Sequence, residues 1–322
     1  MRTWGEFETA MAPAGAGALD PRGPVAEAIA DLWWLMLALG VVVFVIFAAL
    51  LLAGLGRQAS DDAPDMARHR QLVTRWIGVG GVAMPAVIIV VVFAATLQTM
   101  ADVPSSAPAD ALKIEMTGHQ FWYEIRYPGE GVVTANELHL PVGRDIAISL
   151  TSADVIHSFW VPELGGKLDM MPDRTNTLVV RADVPGEFRS RCAEFCGLQH
   201  TKMGLVVVAE DADSFRSWIS SQQTFTEPTT ADARGGRQVF VGAGCVNCHA
   251  LRGASGGGTP APDLTDLPLR RTLGAATLPN TRENLARWIT DPHAIKEGVA
   301  MPGTALSDEQ LDALITYLTA TR

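Results

Sequence analysis

The 322-residue sequence predicts a multidomain membrane protein that combines a two-helix transmembrane hairpin with an all-β barrel and an all-α domain. Two long uncharged runs lie within the first 100 residues, short turn-punctuated strands follow, and helical patterns then surround a Cys-x-x-Cys-His motif. The predicted segments are an N-terminal tail (1–31), the hairpin (32–100), the β domain (101–222), a linker (223–231) and the α domain (232–322).

Both apolar runs are long enough to cross a bilayer. Residues 32–56 and 76–100 contain no charged side chain, and a hydrocarbon core of ~30 Å needs about 20 helical residues. A buried helix of a soluble protein is the alternative, although such helices seldom stay uncharged over this length. We therefore predict two membrane-spanning helices, joined by a loop at 57–75.

Basic residues orient this hairpin. The loop carries four arginines, Arg57, Arg68, Arg70 and Arg75, whereas the tail is mainly acidic. The positive-inside rule then places the loop in the cytoplasm and residues 101–322 outside it. The first 30 residues lack the basic start and apolar core of a cleaved signal peptide. A net charge of −10 offers no basic stripe for nucleic acid, so we expect no such partner.

Residues 111–209 have the pattern of a β domain. Turn chemistry recurs at Pro128-Gly129, Pro141-Val142-Gly143 and Pro185-Gly186, and the clearest strands are 177–181 and 205–209. Many short strands at this spacing favour an antiparallel sandwich or barrel.

A loop between two of these strands gathers soft metal ligands. Cys192, Cys196, His200 and Met203 fall within twelve positions, a combination of sulfur and imidazole that favours copper. His157, in an earlier loop, is the candidate for a second imidazole. A disulfide or a zinc site would also use the cysteines, but neither explains a methionine three residues after the histidine.

The spacing C-x-E-x-C-G-x-x-H-x-x-M, preceded by H-S-F-W-V-P, resembles the binuclear copper (CuA) motif of cytochrome c oxidase subunit II, a cupredoxin-like domain. The resemblance implies that Cys192 and Cys196 bridge two coppers. It implies that His157 and His200 each bind one copper and that Met203 is a weak ligand. Two bridging thiolates would share the electron between both metals, so little geometry changes on reduction.

The same resemblance gives Glu194 two roles, as a copper ligand through its backbone carbonyl and as a magnesium ligand through its side chain, at the interface with subunit I. The run Gly118 to Tyr123 resembles the aromatic segment that passes electrons into the copper site. Phe121 stands where family members served by a separate cytochrome c have tryptophan, so we take Trp122 as the candidate entry residue.

The last domain carries a haem attachment motif. Cys245-Val246-Asn247-Cys248-His249 is the C-x-x-C-H signature, in which two thioethers hold haem c and the histidine binds iron. A redox-active dithiol is the alternative. Residues 232–322 resemble a class I cytochrome c, which implies His249 and Met301 as axial ligands. Met301 could instead be a core residue, and His293 is a less favoured ligand. His69 and His139 receive no role.

Helix signals fit this domain. A helical pattern covers 232–241, Thr281 is the expected N-cap of a helix over 282–289, and Ser307 begins a capping box before a helix that reaches Leu318.

The domain order resembles subunit II of the caa-type oxidases of bacteria. This implies an electron path from a donor cytochrome c or a cytochrome bc complex to haem c, to CuA, and to haem a in subunit I. Oxygen would be reduced to water in subunit I, with proton translocation. Further implied partners are subunit III, other oxidase subunits and the lipid of the bacterial inner membrane. The linker would make donor docking intramolecular, at an effective concentration of order mM.

Three alternatives compete with this hypothesis. Nitrous oxide reductase shares the copper motif but is a soluble enzyme with a propeller domain. A CuA-containing nitric oxide reductase differs only in its partner subunit. A free-standing electron carrier or copper-storage protein would need no partner, and the membrane helices count against it. Residues 73–85 contain no acidic side chain where many family members begin a proton path.

Overall fold

The computed structural model describes residues 17–56, 66–254 and 260–320. The chain forms two compact units, one of residues Glu27–Pro104 and one that combines the preceding residues with Ser105–Arg322. Arg57 of the predicted cytoplasmic loop lies outside the described residues.

The first unit contains long apolar helices. Helix α1 is Pro24–Leu55; α2 (Met66–Trp76) continues through a π-helical stretch, Ile77–Ala83, into α3 (Met84–Asp102). Large apolar side chains lie exposed along them, such as Phe44 at 68%. Apolar side chains of this kind are more favourable in lipid than in water. The two helices have the length and the composition that spanning a membrane requires, which confirms this part of the prediction.

The predicted helix bounds were too short. Residues 24–31 of the predicted tail and 66–75 of the predicted loop are helical. The absence of charged residues identifies only the part of each helix that can lie in the hydrocarbon core of the bilayer. The helices themselves continue through charged residues because alanine, glutamate, arginine and leucine all have high helix propensity.

The β domain consists of ten short strands. They are β1 Leu112–His119, β2 Trp122–Tyr127, β3 Val132–Ala135, β4 Glu137–Pro141, β5 Ile146–Ser152, β6 His157–Phe159, β7 Leu168–Met170, β8 Asn176–Val180, β9 Gly186–Arg191 and β10 Gly204–Glu210. A five-stranded sheet has the order β3-β2-β1-β5-β8, a three-stranded sheet has the order β4-β10-β9, and β6 pairs with β7.

Alternating apolar residues build the core between the sheets. In β1, Leu112, Ile114 and Met116 are buried while the intervening residues are not, and both sheets contribute to one apolar cluster. The strands predicted at 177–181 and 205–209 are β8 and β10. Most strand pairs are antiparallel, as expected for such a sandwich or barrel, but β1 with β5 and β4 with β10 are parallel. Long returning connections permit such pairs, and turn signals alone do not reveal them.

Helices form the C-terminal domain. Helix α4 (Ala212–Gln223) packs on the β domain, and α5 (Ala231–Gly242), α6 (Arg282–Thr290) and α7 (Asp308–Ala320) follow a short linker. A small hairpin, β11 (Thr272–Leu273) and β12 (Leu278–Pro279), precedes α6. The predicted N-cap is confirmed, since Thr281 Oγ1 accepts from Asn284 N at 3.2 Å. The capping box is confirmed too: Ser307 Oγ accepts from Gln310 N at 3.3 Å, and Ser307 N donates to the Gln310 side chain.

Helices α5 and α7 cross at a glycine. A Cβ on Gly236 would lie 2.0 Å from the Ala313 carbonyl oxygen and 2.6 Å from Tyr317 Cβ, so only a glycine permits this approach. Phe240 and Tyr317 pack beside the crossing with ring centroids 6.1 Å apart.

The β domain and the α domain are in direct contact. Trp122 packs with Ala135 and Ala275, and Val206 and Val208 pack with Ala276. Polar contacts surround these apolar ones: Thr134 Oγ1 donates to Asp266, Arg271 N donates to Glu137 Oε2 at 2.9 Å, and Gly204 N donates to Ala275 O at 3.2 Å. The linker therefore joins two domains that already touch, and a search by a tethered domain is not required.

Candidate copper cage and haem cleft

The two loop cysteines form the centre of a sulfur-rich cage. Their Sγ atoms lie 3.8 Å apart, and Cys192 Sγ is 3.1 Å from the Glu194 carbonyl oxygen. Cys196 Sγ is 3.7 Å from His200 Nδ1 and 3.8 Å from Met203 Sδ. The structure thus brings together the ligand atoms that the sequence predicts from this loop.

His157 completes the cage from β6. Ligand atoms of His157, Cys192 and Cys196 lie within 4.8 Å of one another, and all three side chains are buried. His157 Nε2 lies 2.8 Å from Asp154 Oδ1, whereas its Nδ1 is buried with no hydrogen-bond partner. A histidine fixed by a carboxylate on one ring nitrogen and unpaired on the other has the arrangement of a metal ligand.

The thiols are electrostatically coupled. The hydrogen bond from Cys196 holds the pKa of Cys192 well below its usual range, and the same interaction raises the pKa of Cys196. The lowered pKa favours the thiolate form of Cys192, which is the form that binds metal.

This geometry argues against a disulfide and against zinc. The sulfur separation exceeds the roughly 2.05 Å of an S–S bond, and both cysteines are free. Structural zinc takes cysteine, histidine or carboxylate ligands, and here a buried thioether, Met203, adjoins Cys196. Soft sulfur donors together with imidazole fit copper.

The side chain of Glu194 is partly exposed and lies next to a lysine. Its carboxylate lies 3.5 Å from Lys167 Nζ, and both side chains are more than two-fifths exposed. The carbonyl oxygen of Glu194 therefore contacts Cys192, whereas its carboxylate contacts Lys167.

A mostly apolar cleft lies beside the cage. From the α domain it is lined by Cys245, Cys248, His249 and Met301, together with apolar side chains such as Leu273, Leu285, Trp288 and Ile289. The attachment motif and the methionine fifty residues away therefore face one space. Residues of the β domain line it too: Gln120, Phe121, Trp122 and Asn136.

A hydrogen bond and burial fix the orientation and the charge of the His249 imidazole. Its Nδ1 lies 2.7 Å from the Pro262 carbonyl oxygen, which fixes the ring and leaves Nε2 available. Burial lowers the pKa of His249, so the imidazole is neutral at physiological pH. A neutral, oriented imidazole next to paired cysteines in an apolar cleft fits a covalently held haem.

Trp122 joins the lining of the cleft to strand β1. It lines the cleft, is only 9% exposed, and stacks on His119 with ring centroids 4.2 Å apart. A Cβ on the neighbouring Gly118 would lie 2.8 Å from His157 Cδ2, so β1 runs directly against a cage residue. The α domain of the same chain covers Trp122.

Lys296 is the least expected residue of this region. It lines the cleft and is 1% exposed, and its Nζ donates to the carbonyl oxygens of Phe121 at 3.1 Å and Gly274 at 3.0 Å. Burial lowers the pKa of Lys296 to about 7, and the neighbouring Lys202 acts in the same direction.

The sequence reasoning missed three residues that support the site. Asp154 orients His157, Gln120 Nε2 donates to the Cys196 carbonyl oxygen at 2.6 Å, and Lys296 connects the two domains. Asp154 had a usable signal, because a ligand histidine needs an acceptor for its second nitrogen and this carboxylate is three residues away. A lone lysine carries no comparable signal.

His139, which received no role, is also buried in a polar cluster. Its Nδ1 lies 2.7 Å from Glu210 Oε1, its Nε2 lies 3.1 Å from Glu137 Oε1, and its ring stacks on Trp218 at 4.0 Å. The cluster reaches the α domain because Glu137 also accepts from Arg271.

Two known families match separate parts of the chain. Residues 130–210 match the family described as cytochrome c oxidase subunit II, periplasmic domain. Residues 233–322 match the family described as cytochrome c.

Individual proteins of one family match the chain over different lengths. The chain is 35% identical over 313 residues to cytochrome c oxidase subunit 2 of Alkalihalophilus pseudofirmus, a match that covers 94% of this chain and 89% of the relative. It is 34% identical over 222 residues to the Bacillus subtilis subunit, covering 65% of this chain and 62% of that protein. A solved periplasmic domain of the Bradyrhizobium japonicum subunit II is 29% identical, with a TM-score of 0.36, over 37% of this chain and 97% of that one.

Proposed function

The chain belongs to the cytochrome c oxidase subunit II family, and we propose that it brings electrons into the oxidase through its own haem c and binuclear copper site. As a subunit of this oxidoreductase it carries both a copper domain and a cytochrome c domain. The oxygen-reducing site belongs to the partner subunit I.

In the copper domain, Cys192 and Cys196 would bridge two coppers, and His157 and His200 would each bind one. Met203 would be a weak ligand. The Glu194 carbonyl, 3.1 Å from Cys192 Sγ, is the remaining donor. Copper would supply a one-electron carrier. The chain's own residues hold the cage: Asp154 orients His157, and buried side chains around the thiols exclude water.

In the cytochrome domain, Cys245 and Cys248 would attach haem c, and His249 and Met301 would be its axial ligands. The haem would supply a second one-electron carrier. The Pro262 carbonyl holds the His249 ring in one orientation, and Arg270 pairs with the buried Asp266 beneath the cleft.

One observation carries the proposal: residues 120–122 line the cleft, and Gln120 of the same segment donates to the Cys196 carbonyl oxygen of the cage, within one compact unit. On this basis Trp122 would pass electrons between the chain's own haem and its copper. An external donor would meet the α domain, because that domain covers Trp122.

The membrane arrangement and the partners extend this proposal. The arginines of the hairpin loop favour a cytoplasmic loop, with both large domains on the periplasmic side of a bacterial inner membrane. Subunit I would accept electrons into haem a, and subunit III, a donor cytochrome c or cytochrome bc complex, and lipid would be further partners. The exposed carboxylate of Glu194 is available for magnesium at the subunit I interface, in competition with Lys167.

The relatives named above are cytochrome c oxidase subunits, which favours oxygen over nitric oxide as the terminal acceptor. The test is to purify the chain with its large partner subunit and to measure the consumption of both gases with one reductant. We expect oxygen consumption that Cys192→Ser abolishes. Consumption of nitric oxide alone would contradict the assignment.

A further inference from the structure

A single loop of the cytochrome domain touches the copper domain at four consecutive residues. The Ile295 carbonyl oxygen accepts from Lys202 Nζ at 2.6 Å, and the Glu297 carbonyl oxygen accepts from Gln199 Nε2 at 2.8 Å. A Cβ on Gly298, where φ is +78°, would lie 2.9 Å from Leu198 Cδ1. The fourth residue is Lys296. The loop thus lies against residues 198–202, which include the candidate copper ligand His200.

Lys296 reaches furthest into the copper domain. Its Nζ donates to the Phe121 carbonyl oxygen in that domain and to the Gly274 carbonyl oxygen in its own. A lysine nitrogen has three donor hydrogens when charged and two when neutral, so in either form this side chain can hold two backbone segments together. At 1% exposure the group has little access to water, which makes the loss of either bond costly.

The segment that Lys296 holds is also bonded to the cage. Gln120, which precedes Phe121, donates from its side-chain amide to the Cys196 carbonyl oxygen at 2.6 Å. Met301 lies five residues after Lys296 and lines the cleft. A short series of contacts therefore runs from the loop of one candidate haem ligand to the backbone of a candidate copper ligand.

We propose that Lys296 is a positioning residue that pins the Met301 loop to the Gln120–Phe121 segment, so that the haem-binding and copper-binding sites keep one fixed separation. The inference rests on the proposed function for the identity of the two sites. It adds that the cytochrome domain keeps a fixed position relative to the copper domain. Electron transfer within the chain then needs no docking step.

The test uses Lys296→Met in the full-length chain, because methionine fills the same buried space without a donor. Arg271→Met is the matched control: Arg271 contacts Glu137 and Glu187 at another part of the same interface. Two quantities are measured, the hydrogen–deuterium exchange of residues 295–300 and the rate of electron transfer from haem to copper after photoreduction. Redox titration of both centres checks that the driving force is unchanged.

For Lys296→Met we expect amide exchange of the loop to rise about tenfold or more. We also expect electron transfer to slow about tenfold, because a displaced site loses its geometry. Arg271→Met should change neither quantity by a comparable factor. Equal effects in both variants would mean that any weakening of the interface suffices, and wild-type behaviour of Lys296→Met would also overturn the proposal.

If Lys296→Met does not incorporate both cofactors, Gln199→Leu releases the same loop from the copper side and must give the same two changes. A wild-type chain without a copper pair or without haem c would refute the proposed function itself. A wild-type chain with both, combined with unaffected variants, would refute only the role of Lys296.

Discussion

The imidazole of His119 lies parallel to the indole of Trp122, with an interplanar angle of 7° and ring centroids 4.2 Å apart. Trp122 lines the haem cleft, and β1, which contains His119, runs past His157 of the copper cage. The stacked pair therefore links the lining of the cleft to the strand that contacts His157. From this arrangement we predict a role for Trp122 in electron transfer inside the chain, whereas the sequence suggested only a site of electron entry.

Replacing Trp122 should slow electron transfer within the chain. In Trp122→Leu we expect haem-to-copper transfer to fall by about tenfold or more, because the aromatic contact across the cleft is lost. Reduction of the haem by an external donor should stay as in the wild type. Stopped-flow spectroscopy separates the two steps. Trp218→Leu, which removes a tryptophan stacked on His139 instead, is the control. A loss of donor oxidation without a loss of internal transfer would contradict this role.

Met203 should tune the copper site without being needed to assemble it. Its thioether is a weak ligand in the proposed cage, and loss of a weak axial donor raises the reduction potential of a copper–thiolate centre. We expect Met203→Leu to keep two coppers and to show a potential higher by tens of millivolts in a redox titration. Met116→Leu, a buried core methionine in β1, should leave the potential unchanged. Complete loss of copper in Met203→Leu would show that the thioether is structural.

The His139 cluster should make stability depend on pH. Burial alone would lower the pKa of His139, but the hydrogen bonds and charges of Glu137 and Glu210 outweigh it and raise the pKa. A raised pKa means that protonated His139 stabilises the fold fully below the unfolded-state pKa of about 6.5. This contribution is lost as the pH rises through the higher folded-state pKa.

We therefore expect the melting temperature to fall from pH 6 upward more steeply in the wild type than in His139→Gln. Calorimetry of the full-length chain measures both curves. His293→Gln, at an exposed position, should follow the wild type. Parallel curves for wild type and His139→Gln would show that His139 does not change its protonation in this range.

Two adjacent glycines should respond in opposite ways to alanine. In Gly236→Ala the new Cβ would meet the Ala313 carbonyl at 2.0 Å, so α5 and α7 must separate and haem incorporation should fall. At Gly235 a Cβ would meet nothing within 4 Å. Gly235→Ala should thus be neutral or stabilise the helix by up to about 1 kcal/mol. Haem staining and thermal unfolding distinguish them. Equal haem content in both variants would rule out the close crossing.

Local patterns predicted the local parts of the structure. The copper loop, the haem motif and the caps at Thr281 and Ser307 each depend on residues within about a dozen positions of one another. Even the cage histidine outside the loop, His157, could be named because the H-S-F-W-V-P string marks it. Such sites can be predicted from one sequence because their residue types recur at fixed spacings.

The domain interface could not be predicted in this way. Its contacts join residues far apart in the chain, such as Lys296 with Phe121 and Asp266 with Thr134. A lysine in a loop usually indicates exposed surface, and only the folded chain shows that Lys296 is enclosed by two carbonyls. The parallel strand pairs escaped prediction for the same reason, since their partners are separated by long connections.

The central claim is that Cys192 and Cys196 bridge a pair of coppers beside a covalent haem. Metal and haem analysis combined with electron paramagnetic resonance of the purified full-length chain tests it most directly. We predict two coppers that share one unpaired electron, together with one haem c per chain. A single copper, a zinc ion or a disulfide between these cysteines would contradict the account.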